Sequence, residues 1–274
     1  MKLLIAADME GITGVTRIEH TQSTHPEYQR FRRLMTADVN AAIQGAAAAG
    51  VEDILVADGH GGATNILIEE LDPRAHLNSG VPSPFAMLQG IDSGIDAVFL
   101  IGYHARMGTA TAILDHTWSS ANVFNVWLNG KQVGEVGLNS AVCGHFGASV
   151  ILVSGDQAVS AEAQDFIPGI ETAIVKIAAG RHNAECLPLE ATQTIIREAA
   201  GRAIERFMAG NAPLPVKTTR PISVVLEFIY SDMADKAMLM PGVTRLDGRR
   251  VEIQAVDMPG AYRAARAAIS LADR

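Results

Sequence analysis

An uninterrupted apolar run, residues 3–7, opens this chain and empties directly into Asp8-Met9-Glu10-Gly11. A run apolar at every position suits a strand covered on both faces, as in a parallel sheet between helical layers. That commits the chain to an α/β fold from its first residues. The strand exit also carries two carboxylates, and residues i and i+2 of extended backbone face the same way. Like charges held together raise each other's pKa unless something positive lies between them. A divalent metal is the simplest such group, although the pair alone also fits a helix cap at Asp8 beside a solvated Glu10. What decides is the content of later strand ends, where open α/β sheets place their ligands.

Phe31, Leu34, Met35, Val39, Ala42, Ile43 and Ala46 recur at steps of three and four, the stripe of a helix lying on a sheet. Gly50 ends that helix, and residues 53–57 form a second strand, completing a β-α-β unit with an expected right-handed crossover. This strand runs into Asp58-Gly59-His60-Gly61-Gly62, whose glycines permit a tight turn presenting His60. The phosphate-loop spacings G-x-G-x-x-G and G-x-x-x-x-G-K are absent there, and a short helix is expected over 63–70. Residues 75–78 read as a short edge strand and 96–102 as a buried strand ending in G-Y-H-A-R, with His104. His116 follows in A-I-L-D-H-T-W, and Asn129-Gly130 between alternating apolar runs predicts a two-residue hairpin. The hairpin delivers Glu135 to the first turn of a helix reaching about residue 146.

Beyond it, strands are expected over 149–154, 171–177, 224–228 and 251–256, and helices over 158–166, 189–208 and 259–271. The stretch 210–221 carries three prolines and reads as a linker. The predicted fold is α/β, a mostly parallel Rossmann-like sheet flanked by helices, with a second smaller α/β lobe. Residues 1–155 are expected to form the metal-site domain. Residues 156–274 are expected to form a second domain serving oligomerisation and pocket closure.

The strand exits together supply Asp8, Glu10, His60, His104 and Glu135. Such a mixed N/O set suits two zinc-like ions with open positions for water, Asp8 being the natural bridge. Metals of this kind polarise a carbonyl and lower the pKa of a bound water from about 15.7 toward roughly 7. Histidine has a reference pKa of about 6.5, near neutrality, so a side chain such as His116 is suited to carry protons for the leaving group. His20, His25, His76, His145 and His182 read as structural or solvated. A net charge of -8 leaves no basic stripe for nucleic acid. Cys143 and Cys186, the two cysteines, lack zinc-knuckle spacing and suit a reducing cytoplasm. No segment approaches a twenty-residue apolar span, so no membrane partner is expected.

Five short motifs in order now carry a resemblance: D-M-E-G at 8–11, D-G-H at 58–60, G-Y-H-A-R at 102–106, D-H-T at 115–117 and V-G-E-V-G-L-N at 133–139. With later echoes in Val175-Lys176, M-P-G at 240–242 and Asp257-Met258, the chain resembles the bacterial D-aminopeptidase family of self-compartmentalising dizinc peptidases. The resemblance implies two zinc ions per subunit, held by Asp8, Glu10, His60, His104 and Glu135, with His116 as catalytic residue. It implies release of amino-terminal residues, often D-residues such as D-alanine, from short peptides or amino acid amides. It also implies a homo-oligomeric ring, notably a decamer. Ala6, Gly59 and Gly61 stand where the family carries serines, which bears on substrate preference and removes no metal ligand. A dimetal phosphatase or nucleotidase would use similar ligands and add cationic clamps, for which Arg106 is the candidate. A metal-stabilised binding module without catalysis is the non-enzymatic alternative.

Overall fold

In the computed structural model, which describes residues 1–273, the apolar opening run is strand β1 (Lys2–Ala7). Helix α1 (Tyr28–Ala48) leads to β2 (Asp53–Asp58), which pairs with β1 in parallel, residue by residue from Lys2 opposite Asp53 to Ala7 opposite Asp58. β3 (Ala75–Asn78) adds outside β2, while β4 (Ala97–Ile101) pairs with β1 on its other side. Three buried strands therefore end side by side, with their exits at one edge of the sheet.

The chain then leaves this sheet for the hairpin β5 (Val123–Leu128) and β6 (Lys131–Gln132). Its turn residues Asn129 and Gly130 both have positive φ, 48° and 81°. That conformation matches the twist of a two-residue hairpin and suits this dipeptide. Helix α2 (Glu135–His145) returns the chain to the first sheet as β7 (Ser149–Asp156), α3 (Gln157–Phe166), β8 (Glu171–Gly180) and β9 (Asn183–Cys186). The finished sheet has seven strands in the order β3-β2-β1-β4-β7-β8-β9, all parallel except β9.

Helix α4 (Leu189–Met208) and the irregular stretch 209–221 lead to β10 (Ile222–Phe228), α5 (Ser231–Ala237), β11 (Val243–Arg245), β12 (Arg250–Ala255) and α6 (Met258–Leu271). These strands join the β5-β6 hairpin in an antiparallel sheet ordered β11-β12-β10-β5-β6. Residues 156–274 thus do not carry a sheet of their own. β8 and β9 extend the first sheet, and residues 123–132 complete the second. The alternating burial of β10 explains its place: one face packs on the core and the other meets solvent.

Both faces of the large sheet are covered. Leu3, Ile5 and Ala7 point into a core shared with Met35, Val39 and Ile43 of α1 and with Ile196, Ala200 and Ile204 of α4. Leu4 and Ala6 point the other way, into a core shared with α2, α3, α6 and the second sheet. Burying one such aliphatic side chain stabilises by about 1.5–3 kcal/mol. The two-sided run in β1 is therefore what anchors Asp8 and Glu10 at a fixed height.

The helix expected over 63–70 is instead a set of turns. Asp58 accepts hydrogen bonds from the backbone N–H groups of Asn65 and Ile66 and from Asn65 Nδ2. Thr36 and Asn40 of α1 take the N–H groups of Leu67 and Asp72, and Asn40 Nδ2 donates to Glu70 O. Side chains thus satisfy the backbone groups a helix would have paired.

Candidate metal centre

Two loops cross at the exits of β1 and β4, and glycine lets them do so. A Cβ on Gly11 would lie 1.9 Å from the carbonyl oxygen of Tyr103, and one on Gly102 would lie 2.3 Å from that of Asp8. Gly11 N–H donates to Gly102 O at 2.7 Å, and Asp8 N–H donates to Ile101 O at 2.8 Å. Asp8, Glu10 and His104 are thereby drawn to one point. His60 arrives from the end of β2, where Gly59 N–H donates to Ala7 O, and Glu135 from the first turn of α2.

The five side chains expected from the sequence converge. His60 Nδ1 lies 3.3 Å from Asp8 Oδ1 and 3.1 Å from Glu10 Oε2. His104 Nε2 lies 3.4 Å from Asp8 Oδ2 and 3.3 Å from Glu135 Oε1. Asp8 therefore turns one oxygen to each imidazole, and the cluster divides into two halves about its carboxylate. His116 stands beside the second half, its ring stacked on His104 at 3.9 Å between centroids and its Nε2 3.9 Å from Glu135 Oε1.

Each ring is oriented by its other nitrogen. His60 Nε2 faces Thr21 O at 3.0 Å, His104 Nδ1 faces Ala105 O at 3.0 Å, and His116 Nδ1 faces Leu114 O at 2.8 Å. A carbonyl only accepts, so each of these nitrogens carries the proton, and the opposite nitrogen of a neutral ring presents a lone pair inward. Such backbone partners orient histidines that ligate metals.

The buried atoms Asp8 Oδ2, Glu10 Oε2 and His104 Nε2 have no hydrogen-bond partner, despite their closeness to one another. Burial pushes the Asp8 carboxyl up, yet the His104 and His60 imidazoles hold it well below the usual carboxylate range. Glu10 is lowered as well, His60 outweighing its burial. Burial disfavours the imidazolium of His60 and His104, but the adjacent carboxylates raise both well above the ordinary histidine value. The carboxylates of the cluster thus demand positive charge beside them. Unpartnered buried acceptors, inward lone pairs and demand for positive charge together fit a cation-binding cluster. The ligand-capable atoms of Asp8, Glu10 and His104 lie within 4.8 Å of one another, as do those of His104, His116 and Glu135.

A cavity of about 530 Å³ opens onto the cluster, lined by Asp8, Glu10, His60, His116 and Glu135 and walled by Met87, Trp118 and Ile269 among others. Asp58 also faces the cavity, but its oxygens are engaged with Asn65 and Ile66. Arg106, the candidate phosphate clamp, pairs with Glu162 at 3.8 Å and is not among the residues lining the cavity.

Over residues 1–267 the sequence matches the family described as D-aminopeptidase, Peptidase_M55. The chain belongs to the D-aminopeptidase family. A D-aminopeptidase of Bacillus subtilis (strain 168) is 34% identical over 275 residues, covering 100% of this chain and 98% of that protein. Among solved structures, the Zn-dependent D-aminopeptidase DppA from Bacillus subtilis, described as a self-compartmentalizing protease, superposes with a TM-score of 0.95 at 33% identity. That match covers 99% of this chain and 98% of the other. The expected α/β architecture is therefore that of a D-aminopeptidase. Among the described residues no helix is long and apolar enough to cross a membrane.

Sequence reasoning passed over several groups that this D-aminopeptidase fold brings to the centre. Trp118 donates its backbone N–H to Glu135 Oε1 at 2.7 Å and so fixes one ligand-capable oxygen. Glu162 accepts from Arg106 N at 2.8 Å, steadying the loop that carries His104. Lys176, marked in the sequence only as an echo, is fully buried beneath the Asp8 loop. None of these positions has a short-range signature, because each acts through contacts distant in sequence.

Proposed function

We propose that this chain is a zinc-dependent D-aminopeptidase that removes amino-terminal residues from short peptides or amino acid amides. In this reading Asp8, Glu10, His60, His104 and Glu135 hold two zinc ions, and His116 is the catalytic residue. The observation that carries it is the placement of Asp8, one oxygen toward His60, which also meets Glu10, and the other toward His104, which also meets Glu135. The kinship with a Zn-dependent D-aminopeptidase supports zinc over other divalent ions.

Bound metal would supply Lewis acidity, polarising the scissile carbonyl and acidifying water. The remaining work falls to the protein. Asp8, Glu10 and Glu135 provide the negative charge that makes a buried dication site favourable, and the carbonyls of Thr21 and Ala105 hold the two ligating rings in place. His116 approaches only Glu135, at 3.9 Å, whereas His60 and His104 each meet two carboxylates at 3.1–3.4 Å. That difference favours His116 as a proton carrier over a further ligand. With Nδ1 held by Leu114 O, its Nε2 is the atom that exchanges a proton with the departing amine.

The cavity's walls come from both ends of the chain, with Arg266, Ile269, Ser270 and Asp273 contributing from α6 and just beyond it. This supports a pocket-closing role for residues 156–274, alongside a role in assembly. The self-compartmentalizing relative supports a homo-oligomer, which we take to be a ring-shaped decamer in the cytoplasm.

The test combines metal analysis with a panel of D- and L-aminoacyl amides and dipeptides. About two zinc per chain, and hydrolysis of D-alanyl substrates lost on chelation and restored by zinc, is the expected result. Hydrolysis of phosphate esters alone, or full zinc with no hydrolysis of the panel, would overturn the reading.

A further inference from the structure

The cavity that opens onto the acidic cluster is also lined by the C-terminal part of α6 and the residue just beyond it. Arg266, Ile269 and Ser270 line it from one face of α6, at i, i+3 and i+4, and Asp273 lines it from just beyond the helix, where its Oδ1 accepts from Asn122 Nδ2. Among the described lining residues Arg266 is the one arginine or lysine, in a cavity that is also lined by Asp8, Glu10 and Glu135. The pocket thus holds a guanidinium as well as the carboxylates of the cluster.

The guanidinium is positioned but not neutralised. Arg266 Nη1 donates to the carbonyl oxygen of Ser83 at 3.2 Å, and the guanidinium carbon lies 5.9 Å from the centre of the Tyr262 ring. No ion pair ties it to a carboxylate among the described residues. One hydrogen bond to a neutral carbonyl occupies one of five N–H donors, leaving a planar fork suited to two oxygens of a carboxylate. Tyr262 itself packs edge-on against Trp118, with ring centroids 5.2 Å apart, so the arginine rests on a wall tied to the residue that fixes Glu135. This pre-organisation means little side-chain entropy is lost when a ligand binds.

We propose that Arg266 is a specificity-determining residue that binds the free carboxyl terminus of the substrate. The preferred substrates are then short peptides with an unblocked C-terminal carboxylate, over amides and esters of single amino acids. This deepens the aminopeptidase reading and rests on it. A short peptide zwitterion offers each partner its opposite charge, its carboxylate to Arg266 and its amino end to the acidic cluster. An amide of the same peptide keeps the scissile bond and loses only the charge that Arg266 reads.

The test compares D-alanyl-D-alanine with D-alanyl-D-alaninamide, in wild type, Arg266→Gln and Arg266→Lys. Wild type is expected to favour the free acid by about 10- to 100-fold in kcat/KM, the range for a hydrogen bond to a charged group. The preference should reside in KM, collapse toward unity in R266Q and survive in part in R266K. An unchanged preference in R266Q, or an equal loss on both substrates, would assign Arg266 to holding the Ser83 segment and overturn the proposal. Titration calorimetry of both peptides against zinc-loaded His116→Ala protein, with and without R266Q, reads the same contact without turnover. A gap in Kd that vanishes with R266Q supports Arg266 even if wild type proves not to hydrolyse either peptide, which would sink the aminopeptidase reading alone. No gap in Kd overturns the Arg266 proposal.

Discussion

The ammonium of Lys176 donates a 2.6 Å hydrogen bond to the backbone carbonyl of Glu10. It reaches Val15 O at 2.6 Å and Ile12 O at 2.9 Å as well, so a fully buried lysine on β8 gathers the loop that follows Asp8. Three carbonyls replace the water it has given up, and burial pulls its pKa only to about 8, leaving it cationic at neutral pH. Lys176→Met would orphan those carbonyls at roughly 1–3 kcal/mol each. The variant should fall several degrees in thermal midpoint and lose at least about tenfold in zinc affinity by chelator competition, because the Glu10 loop is no longer held. Unchanged zinc affinity would show that Lys176 steadies the fold without positioning Glu10.

Asp8 is the shared member of the cluster, so its loss should be felt in both halves. Asp8→Ala is expected to drop zinc below one ion per chain and abolish hydrolysis, if the proposed sharing of Asp8 by both ions holds. Glu10→Ala, whose one ion pair is with His60, should retain more metal than Asp8→Ala. Equal metal content in the two variants would dissolve the two-sided arrangement.

The opening strand, its two carboxylates and the histidines after β2 and β4 were legible because local rules govern them. An apolar run buried on both faces, followed by a polar exit at a parallel sheet's edge, leaves few other arrangements. The Asn129-Gly130 hairpin was legible for the same reason. What escaped was set by distant contacts. Residues 63–70 have helix-compatible composition, yet Asp58 and the side chains of α1 claim their backbone groups. Strand β9 exists only because the edge of β8 is available to pair with it. Arg266 carries no signal in the sequence and Lys176 only the Val175-Lys176 echo, since nothing nearby reveals that one lines the cavity and the other lies beneath Glu10.

His116 stacks on His104 and has its Nδ1 proton occupied by Leu114 O, which leaves one nitrogen for chemistry. His116→Ala should lower kcat by about 10²- to 10⁴-fold, the usual contribution of a positioned acid–base group. Zinc content should stay near that of the wild type, measured by elemental analysis after gel filtration. Loss of zinc together with activity would instead make His116 a ligand alongside His104 and Glu135, whose ligand-capable atoms lie within 4.8 Å of one another and of its own.

Asp38 on α1 gives the same loop a pH dependence. Its carboxylate accepts from Thr13 N and Thr13 Oγ1, both at 2.9 Å, and burial raises its pKa to about 6 against those hydrogen bonds. The native state therefore binds a proton that the unfolded chain has released between pH about 4 and about 6. Stability from this group falls as pH rises across that window, and the cost is fully present at neutral pH, at about 3 kcal/mol. Asp38→Asn can still accept one hydrogen bond from Thr13 and has no charge to bury. In chelated protein, the thermal midpoint of wild type minus that of Asp38→Asn should therefore shrink by roughly 5–10 °C between pH 4 and pH 6.5. Taking the difference cancels the titrations of His60 and His104, which the two proteins share. A gap that stays constant across this range would mean that the hydrogen bonds from Thr13 outweigh burial, and that Asp38 is ionised throughout.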